Sequence, residues 1–297
     1  MPHILTLVAP AGQLLPRLLA PVRAALTALG ADCGTPAWLS EAEAVDLPFT
    51  HLAVEVAVAA ARFALDGAPV DALAQPAEGR RKKLLLADMD STIVTSETLD
   101  ELAAEAGLKP EIAAITARAM NGELDFRAAL RGRVAMLRGL EAAALERTWA
   151  TTTLMPGARE LVATMRAAGA HTALVSGGFS FFTSRVATLV KFHEHHANTL
   201  GMAQGALDGT VAEPILDRDA KLDTLKRLAA GLRLPLSVTL AVGDGANDLP
   251  MLLAAGLGVA FRAKPVVRAQ ARAQVLHADL TALLFAQGFR RDEFVGS

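Results

Sequence analysis

Tyrosine is absent from this 297-residue chain, aromatic residues make up only 4%, and Cys33 is the single cysteine. One thiol excludes an intrachain disulfide framework and a zinc–thiolate site, and makes a reducing cytoplasm the natural setting. Scarce aromatics argue against platforms that stack nucleic-acid bases. An excess of one charge is missing too. The formal net charge is −2, so no overall field would hold the chain on nucleic acid or an anionic membrane. Long uninterrupted apolar runs are also lacking. "LAVEVAVAAARFAL" (52–65) contains Glu55 and Arg62 and falls short of the roughly 20 residues a membrane span requires. "HILTLVAPAGQLLPRLLAPV" (3–22) lacks a basic start and carries Pro10, Pro16 and Pro21. Asp32 precedes Cys33 where a lipoprotein cleavage site needs a small residue. These stretches read as soluble structure.

What is abundant is apolar: 52% of the residues, enough for one large or two ordinary cores. Residues 3–9 alternate as a strand does, and Leu14 to Leu29 carries helical spacing up to Gly30. "DGAPVDALAQPAEGRRKK" (66–83) then mixes Gly, Pro and charge with no apolar period, which makes it the best boundary in the chain. It predicts a small α+β unit over residues 1–78, of βαββα character, and a second domain over 79–297.

In the second domain, strand-like runs recur at 83–90, 171–178, 237–245 and 256–261, with helical stretches such as Ala158–Gly169 and Ala220–Gly231 between them. Continuous apolar strands alternating with helices indicate an α/β fold with a parallel sheet covered on both faces. Ligands of such sheets bind beyond the carboxyl ends of the strands. Three of the four runs end there in polar or glycine residues: Asp88 and Asp90; Ser176, Gly177 and Gly178; Gly243, Asp244 and Gly245. From about 98 to 154 the chain is nearly all helix-favouring, too long for a crossover, so a helical cap is predicted over the strand ends.

Asp88 and Asp90 stand two apart at the exit of an apolar strand, where alternation would point both the same way. Carboxylates brought together repel and are costly to desolvate. Asp244 and Asp248 converge on the same edge, and bunched carboxylates without cysteine suit Mg²⁺, which in turn favours phosphate substrates. Taken alone, either acidic motif also fits a loop cap or turn. Ser176 and its glycines at a strand–helix junction form a seat for an anion, or simply a tight turn. Lys221 reads as solvated by default, or as an inward cation offsetting the carboxylates.

The ordered set "DMDST" (88–92), Ser176, Lys221 and "GDGANDLPML" (243–252) resembles the haloacid dehalogenase superfamily of phosphotransferases. "DMDSTIVTSETLDELA" (88–103), "MNGELDFRAALRGRVAML" (120–137), "PGARELV" (156–162), "VSGGFSFFTSRVA" (175–187) and "HANTL" (196–200) resemble its phosphoserine-hydrolysing branch. The likeness covers roughly residues 80–290. It implies a Rossmann-like core with a helical cap, Mg²⁺ as cofactor, and hydrolysis of O-phosphoserine with no nucleic-acid or membrane partner. It implies Asp88 as nucleophile and Asp90 as general acid and base. Mg²⁺ would be held by Asp88, the Asp90 carbonyl and Asp244, with Asp248 as ligand or support. Ser176, Gly177 and Lys221 would bind the phosphate, with Asn247 orienting it. Glu97 would meet the substrate ammonium and Arg133 its carboxylate, with Met120 and Phe126 packing nearby. In related enzymes the N-terminal region is often an ACT-like module; here it is expected to pack or to build a homodimer rather than sense a ligand.

"FHEHH" (192–196) reads as an exposed loop rather than a metal site, and Trp38, Trp149, Phe179, Phe181 and Phe182 as packing residues. Two rival functions stand beside the main one. The first is a phosphatase or phosphotransferase of the same fold acting on phosphohomoserine, phosphothreonine or another small phosphomonoester. The second is a signalling receiver, which also phosphorylates an aspartate but needs neither Asp90 nor a cap.

Overall fold

The structure, a computed structural model, describes residues 2–296. Its N-terminal unit runs β1 (His3–Val8), α1 (Leu19–Ala28), β2 (Asp32–Cys33), β3 (Ala37–Ser40), β4 (Ala44–Thr50), α2 (Val54–Ala64) and β5 (Asp71–Pro76). The strands form an antiparallel sheet in the order β2-β4-β1-β5, with β3 also pairing to β4. Two differences from the sequence reading have simple causes. The helix starts at Leu19 rather than Leu14 because Pro16 opens a short 3₁₀ turn, while Pro21 is tolerated in the first turn. Part of the boundary at 66–83 is strand: "DALAQP" pairs with β1 in full register and closes the unit on a fifth strand rather than on a helix.

The second unit begins with β6 (Leu84–Ala87), all four residues of which are buried. Four helices follow, α3 (Thr98–Ala104), α4 (Lys109–Met120), α5 (Phe126–Met136) and α6 (Ala143–Thr151), where the cap was predicted. The chain continues through α7 (Ala158–Ala167), β7 (His171–Phe179), α8 (Ser180–Val190), β8 (Glu194–Asn198), β9 (Leu200–Ala203) and β10 (Ala206–Val211). It ends with α9 (Arg218–Gly231), β11 (Thr239–Gly243), α10 (Leu249–Ala254), β12 (Leu257–Phe261), α11 (Pro265–Arg268), β13 (Ala273–Val275) and α12 (Ala282–Ala286). Strands β13-β12-β11-β6-β7-β8 form one parallel sheet, with separate apolar layers on its two faces.

Residues 192–193 are a loop as read from sequence, but 194–196 are not. Glu194–Asn198 is the edge strand of this sheet, and its polar side chains find partners there: Glu194 is bonded by His171 at 2.6 Å and by His196 at 2.8 Å. An edge strand buries only part of its surface, so its composition looks like a loop's. The aromatic residues pack as expected: Phe179 and Phe182 are fully buried, while Trp38, Trp149 and Phe181 lie against the cores. No helix among the described residues is long and apolar enough to cross a membrane.

Three features hold the cap. Asp125 caps α5 by accepting from the Ala128 N–H at 2.8 Å. Arg127 of α5 pairs at 2.6 Å with Asp217, which itself caps α9. The β9–β10 hairpin supports the turn after α5, with the Gly139 N–H donating to Leu207 O at 2.8 Å.

Candidate active site

β6 lies at the switch point of the sheet: the chain next adds β7 and β8 on one side, and later β11, β12 and β13 on the other. That arrangement opens a crevice at the carboxyl end of β6. Asp88 leaves β6 with its N–H donating to Val242 O of β11 at 2.9 Å. The strand has already ended at Ala87, so alternation along a strand is not what joins Asp88 to Asp90. A tight turn does so instead. Met89 O accepts from the N–H groups of Ile93 at 2.8 Å and Val94 at 2.9 Å, and Ser91 adopts a left-handed φ of 54°.

Asp88, Asp244 and Asp248 each bring a carboxylate oxygen within 4.8 Å of the other two. Lys221, 0% exposed, reaches up from α9 and places Nζ 2.8 Å from Asp88 Oδ1 and 2.7 Å from Asp248 Oδ1. Burial pulls its ammonium down, but the carboxylates of Asp248 and Asp88 together outweigh that and hold it above its ordinary value. One ammonium does not balance three carboxylates. Burial and the neighbouring Asp248 push Asp88 well above the carboxylate range, and burial with Glu97 and Asp88 does the same to Asp244. Hard oxygen donors with surplus negative charge fit a small divalent cation such as Mg²⁺.

The oxygens are not equivalent. Asp248 Oδ2 accepts the N–H groups of Asp244 at 3.1 Å and Gly245 at 3.0 Å, so this residue is already engaged in shaping the turn. Gly243 is needed beside it, because a Cβ there would lie 2.4 Å from Asp248 Cγ. Asp244 Oδ1 accepts the Thr92 hydroxyl at 3.2 Å. Asp88 Oδ1 takes Lys221 and the Met89 N–H at 2.8 Å, whereas Oδ2 accepts from none of the described residues.

Asp90 is held differently. Its Oδ1 accepts the Thr98 N–H at 2.8 Å and its Oδ2 the Ser176 hydroxyl at 3.2 Å. Burial raises its carboxyl against these bonds, which favours a form able to donate a proton. Ser176 Oγ in turn accepts the Gly178 N–H at 2.9 Å.

Asp88, Asp90, Glu97, Met120, Phe126, Arg133, Ser176, Gly177 and Asn247 line one cavity roofed by the cap, with Lys221, Asp244 and Asp248 packed behind its floor. All the site residues anticipated from sequence therefore meet in one place. Gly177 permits the close roof: a Cβ would lie 2.6 Å from Phe126 Cζ. On the cap side of the cavity, Arg133 is 6% exposed; it donates through Nη1 to Thr116 Oγ1 at 2.8 Å and through Nε to Ala129 O at 3.3 Å. Its Nη2 donates to none of the described residues. Glu97 Oε1 accepts the Ser91 hydroxyl at 2.6 Å, and burial with the nearby Asp90 charge pushes the carboxyl up to about 7.

Sequence reasoning left several partners of these groups without a role: Ser91, Thr92, Thr98, Asp100 and Thr116. Thr92 closes the quoted "DMDST" motif, and its fixed spacing from Asp88 was a usable signal. Asp100 and Thr116 carried none, since a polar residue on a cap helix normally faces solvent.

The family model for haloacid dehalogenase-like hydrolases matches residues 85–253. The chain is 43% identical over 227 residues to a phosphoserine phosphatase of Streptomyces coelicolor, a match covering 76% of this chain and 55% of that protein. It is 47% identical over 199 residues to a phosphoserine phosphatase of Streptococcus thermophilus, covering 67% of this chain and 93% of that protein. This chain thus spans about half of the first relative and nearly all of the second. Among solved structures, a haloacid dehalogenase family hydrolase from Salmonella enterica serovar Typhi superposes with a TM-score of 0.81 at 30% identity, over 96% of this chain and 98% of that one. A phospho-aspartyl intermediate analogue of phosphoserine phosphatase superposes with a TM-score of 0.66 at 38% identity, over 69% of this chain and 98% of that one.

Proposed function

We propose that this chain, which belongs to the haloacid dehalogenase-like hydrolase family, hydrolyses O-phosphoserine to serine and phosphate. The observation that carries the choice of substrate is a pair of unused groups, one cationic and one acidic, on the wall of the same cavity as the aspartates. Arg133 Nη2 and Glu97 Oε2 engage none of the described residues, though both side chains line the cavity and Arg133 is buried. A buried guanidinium without its full set of acceptors is expensive, and a ligand carboxylate would complete it. A ligand ammonium would meet Glu97 in the same way. A phosphomonoester bearing both groups is an α-amino acid phosphate.

At the other end, Asp88 Oδ2 is the free oxygen and attacks phosphorus while Lys221 and the Met89 N–H hold Oδ1. A P–O bond to Asp88 forms as the bond to the serine oxygen breaks. Asp90 gives the leaving oxygen a proton, then takes one from the water that releases phosphate from Asp88. Ser176, the backbone around Gly177, and Asn247 bind and orient the phosphoryl oxygens. Asp88, Asp244 and the Asp90 carbonyl would hold Mg²⁺, supported by Asp248, and the ion would supply the positive charge that lets an anionic phosphate approach two carboxylates. Likenesses to phosphoserine phosphatases, one of them a phospho-aspartyl analogue, support the reading. The N-terminal unit is assigned an ACT-like packing role, with a homodimer to be sought by light scattering.

The test is phosphate release from both phosphoserine enantiomers, phosphothreonine and an aryl phosphate, with Mg²⁺ and with chelator. Strong preference for one phosphoserine enantiomer, lost in chelator, is expected. Equal rates across the panel would remove the substrate assignment. A long-lived phosphoprotein without phosphate release would favour the receiver.

A further inference from the structure

We propose that Asp100 and Thr116 form a positioning chain that sets the specificity of the site by fixing the Arg133 guanidinium; this rests on Arg133 being the carboxylate-binding group. The chain crosses the three helices of the cap that enclose the cavity. Asp100 lies in the first turn of α3, Thr116 in α4 and Arg133 in α5. Thr116 Oγ1 stands 2.6 Å from Asp100 Oδ1 and 2.8 Å from Arg133 Nη1. A guanidinium has only donors, so the threonine oxygen must accept from Arg133. Its single hydroxyl proton is then directed to Asp100, with Ile112 O, 3.1 Å away, as a weaker acceptor. The direction of each bond follows: Arg133 to Thr116 to Asp100.

All three residues are buried, at 6%, 4% and 7% exposure. An arginine has large rotamer freedom to lose on binding, and a flexible one in an open cavity would bind a carboxylate poorly. Tying Nη1 to Thr116 and Nε to Ala129 O leaves the Nη2 edge as the one presented to ligand. The Asp100 charge lies one hydroxyl away, so it stabilises the buried guanidinium without occupying the edge that substrate needs. Direct pairing of Asp100 with Arg133 would compete with a substrate carboxylate; the intervening threonine avoids that. Thr116 itself lines the cavity and, among the described residues, its side chain bonds Asp100, Ile112 O and Arg133 but none of Asp88, Asp90, Ser176 or Lys221, so its replacement is felt through Arg133.

The experiment compares wild type, Thr116→Val, Thr116→Ser and Asp100→Asn on phosphoserine and on p-nitrophenyl phosphate, which has neither α-group. Thr116→Val keeps shape but removes the acceptor. It should raise KM for phosphoserine by about tenfold or more, the scale of one hydrogen bond to a charged group, with kcat/KM for the aryl phosphate within about twofold. Thr116→Ser should restore wild-type behaviour, and Asp100→Asn should fall between. In an Arg133→Met background Thr116→Val should add nothing further. Equal losses on both substrates, or an unchanged phosphoserine KM, would overturn the chain. Should Thr116→Val fold poorly, the Asp100→Asn split between the two substrates decides. Wild type showing no preference for phosphoserine would instead refute the substrate assignment itself.

Discussion

Replacing Lys221 with methionine removes the ammonium while keeping most of the stem, and the structure says what should follow. Nζ stands 2.8 Å from Asp88 and 2.7 Å from Asp248 with no exposure to solvent. Removing one partner of a buried ion pair costs about 3–5 kcal/mol, because the charge left behind is desolvated and unpaired. Burial already pushes Asp88 and Asp244 toward the neutral form, so they can take up a proton once the ammonium is gone, and the lower end of that range is expected. Domains are stable by only about 5–15 kcal/mol, and at this size each kcal/mol shifts Tm by about 2–4 °C. Metal-free Lys221→Met should therefore melt at least about 6 °C below wild type, as followed by circular dichroism in chelator. Adding Mg²⁺ should raise Tm more in the variant than in wild type, since the ion then relieves a larger repulsion. Turnover of phosphoserine should fall by about 100-fold or more with one anion-stabilising group gone. An unchanged Tm in chelator would refute the reasoning, because Lys221 would then be balancing no ionised carboxylate.

Other perturbations test separate links. Glu97→Gln should cost phosphoserine about tenfold or more in kcat/KM while leaving p-nitrophenyl phosphate little changed, a loss shared equally by both contradicting the ammonium contact. Gly177→Ala places a Cβ 2.6 Å from Phe126 Cζ; the ring can shift, so kcat/KM should drop with little change in Tm, whereas a large Tm loss would place Gly177 in the core rather than the roof. Lys82 donates to the carbonyls of Gly79 at 3.0 Å and Ser237 at 3.1 Å, and burial with the nearby Arg80 pushes its ammonium down to about 8. Between pH 8 and its ordinary 10.5 the unfolded chain keeps a proton that the folded chain has released. Wild-type stability relative to Lys82→Met should thus rise by about 3 kcal/mol across that window, read by urea unfolding at several pH values. A flat or falling difference would contradict the depressed lysine.

The catalytic end of the site was legible because its chemistry forces unusual residues into strand exits. Asp88, Asp90, Asp244 and the glycines beside them interrupt apolar runs, and an interrupted run is visible without a structure. The reason offered for the Asp88–Asp90 pair was nonetheless wrong in detail: a turn after Ala87, with Ser91 left-handed, joins them. The selective end was far less visible. Arg133 and Met120 look like ordinary helix residues, and Asp100 and Thr116 gave no sign, since partners on three separate helices share no local spacing. In the fold, strands buried on both faces announced themselves, whereas the edge strand "EHHAN" did not. The β9–β10 hairpin was missed as well, although Gln204 and Gly205, both at positive φ, form a two-residue turn between short alternating runs. That dipeptide was the available signal.

The covalent step is open to direct observation. Wild-type protein mixed with ³²P-phosphoserine and Mg²⁺ and quenched in acid within milliseconds should carry label on the peptide that contains Asp88, and chasing with unlabelled substrate should discharge it as phosphate. Asp88→Asn should neither label nor turn over. Label on any other side chain, or full turnover by Asp88→Asn, would contradict Asp88 as the residue that carries the phosphoryl group.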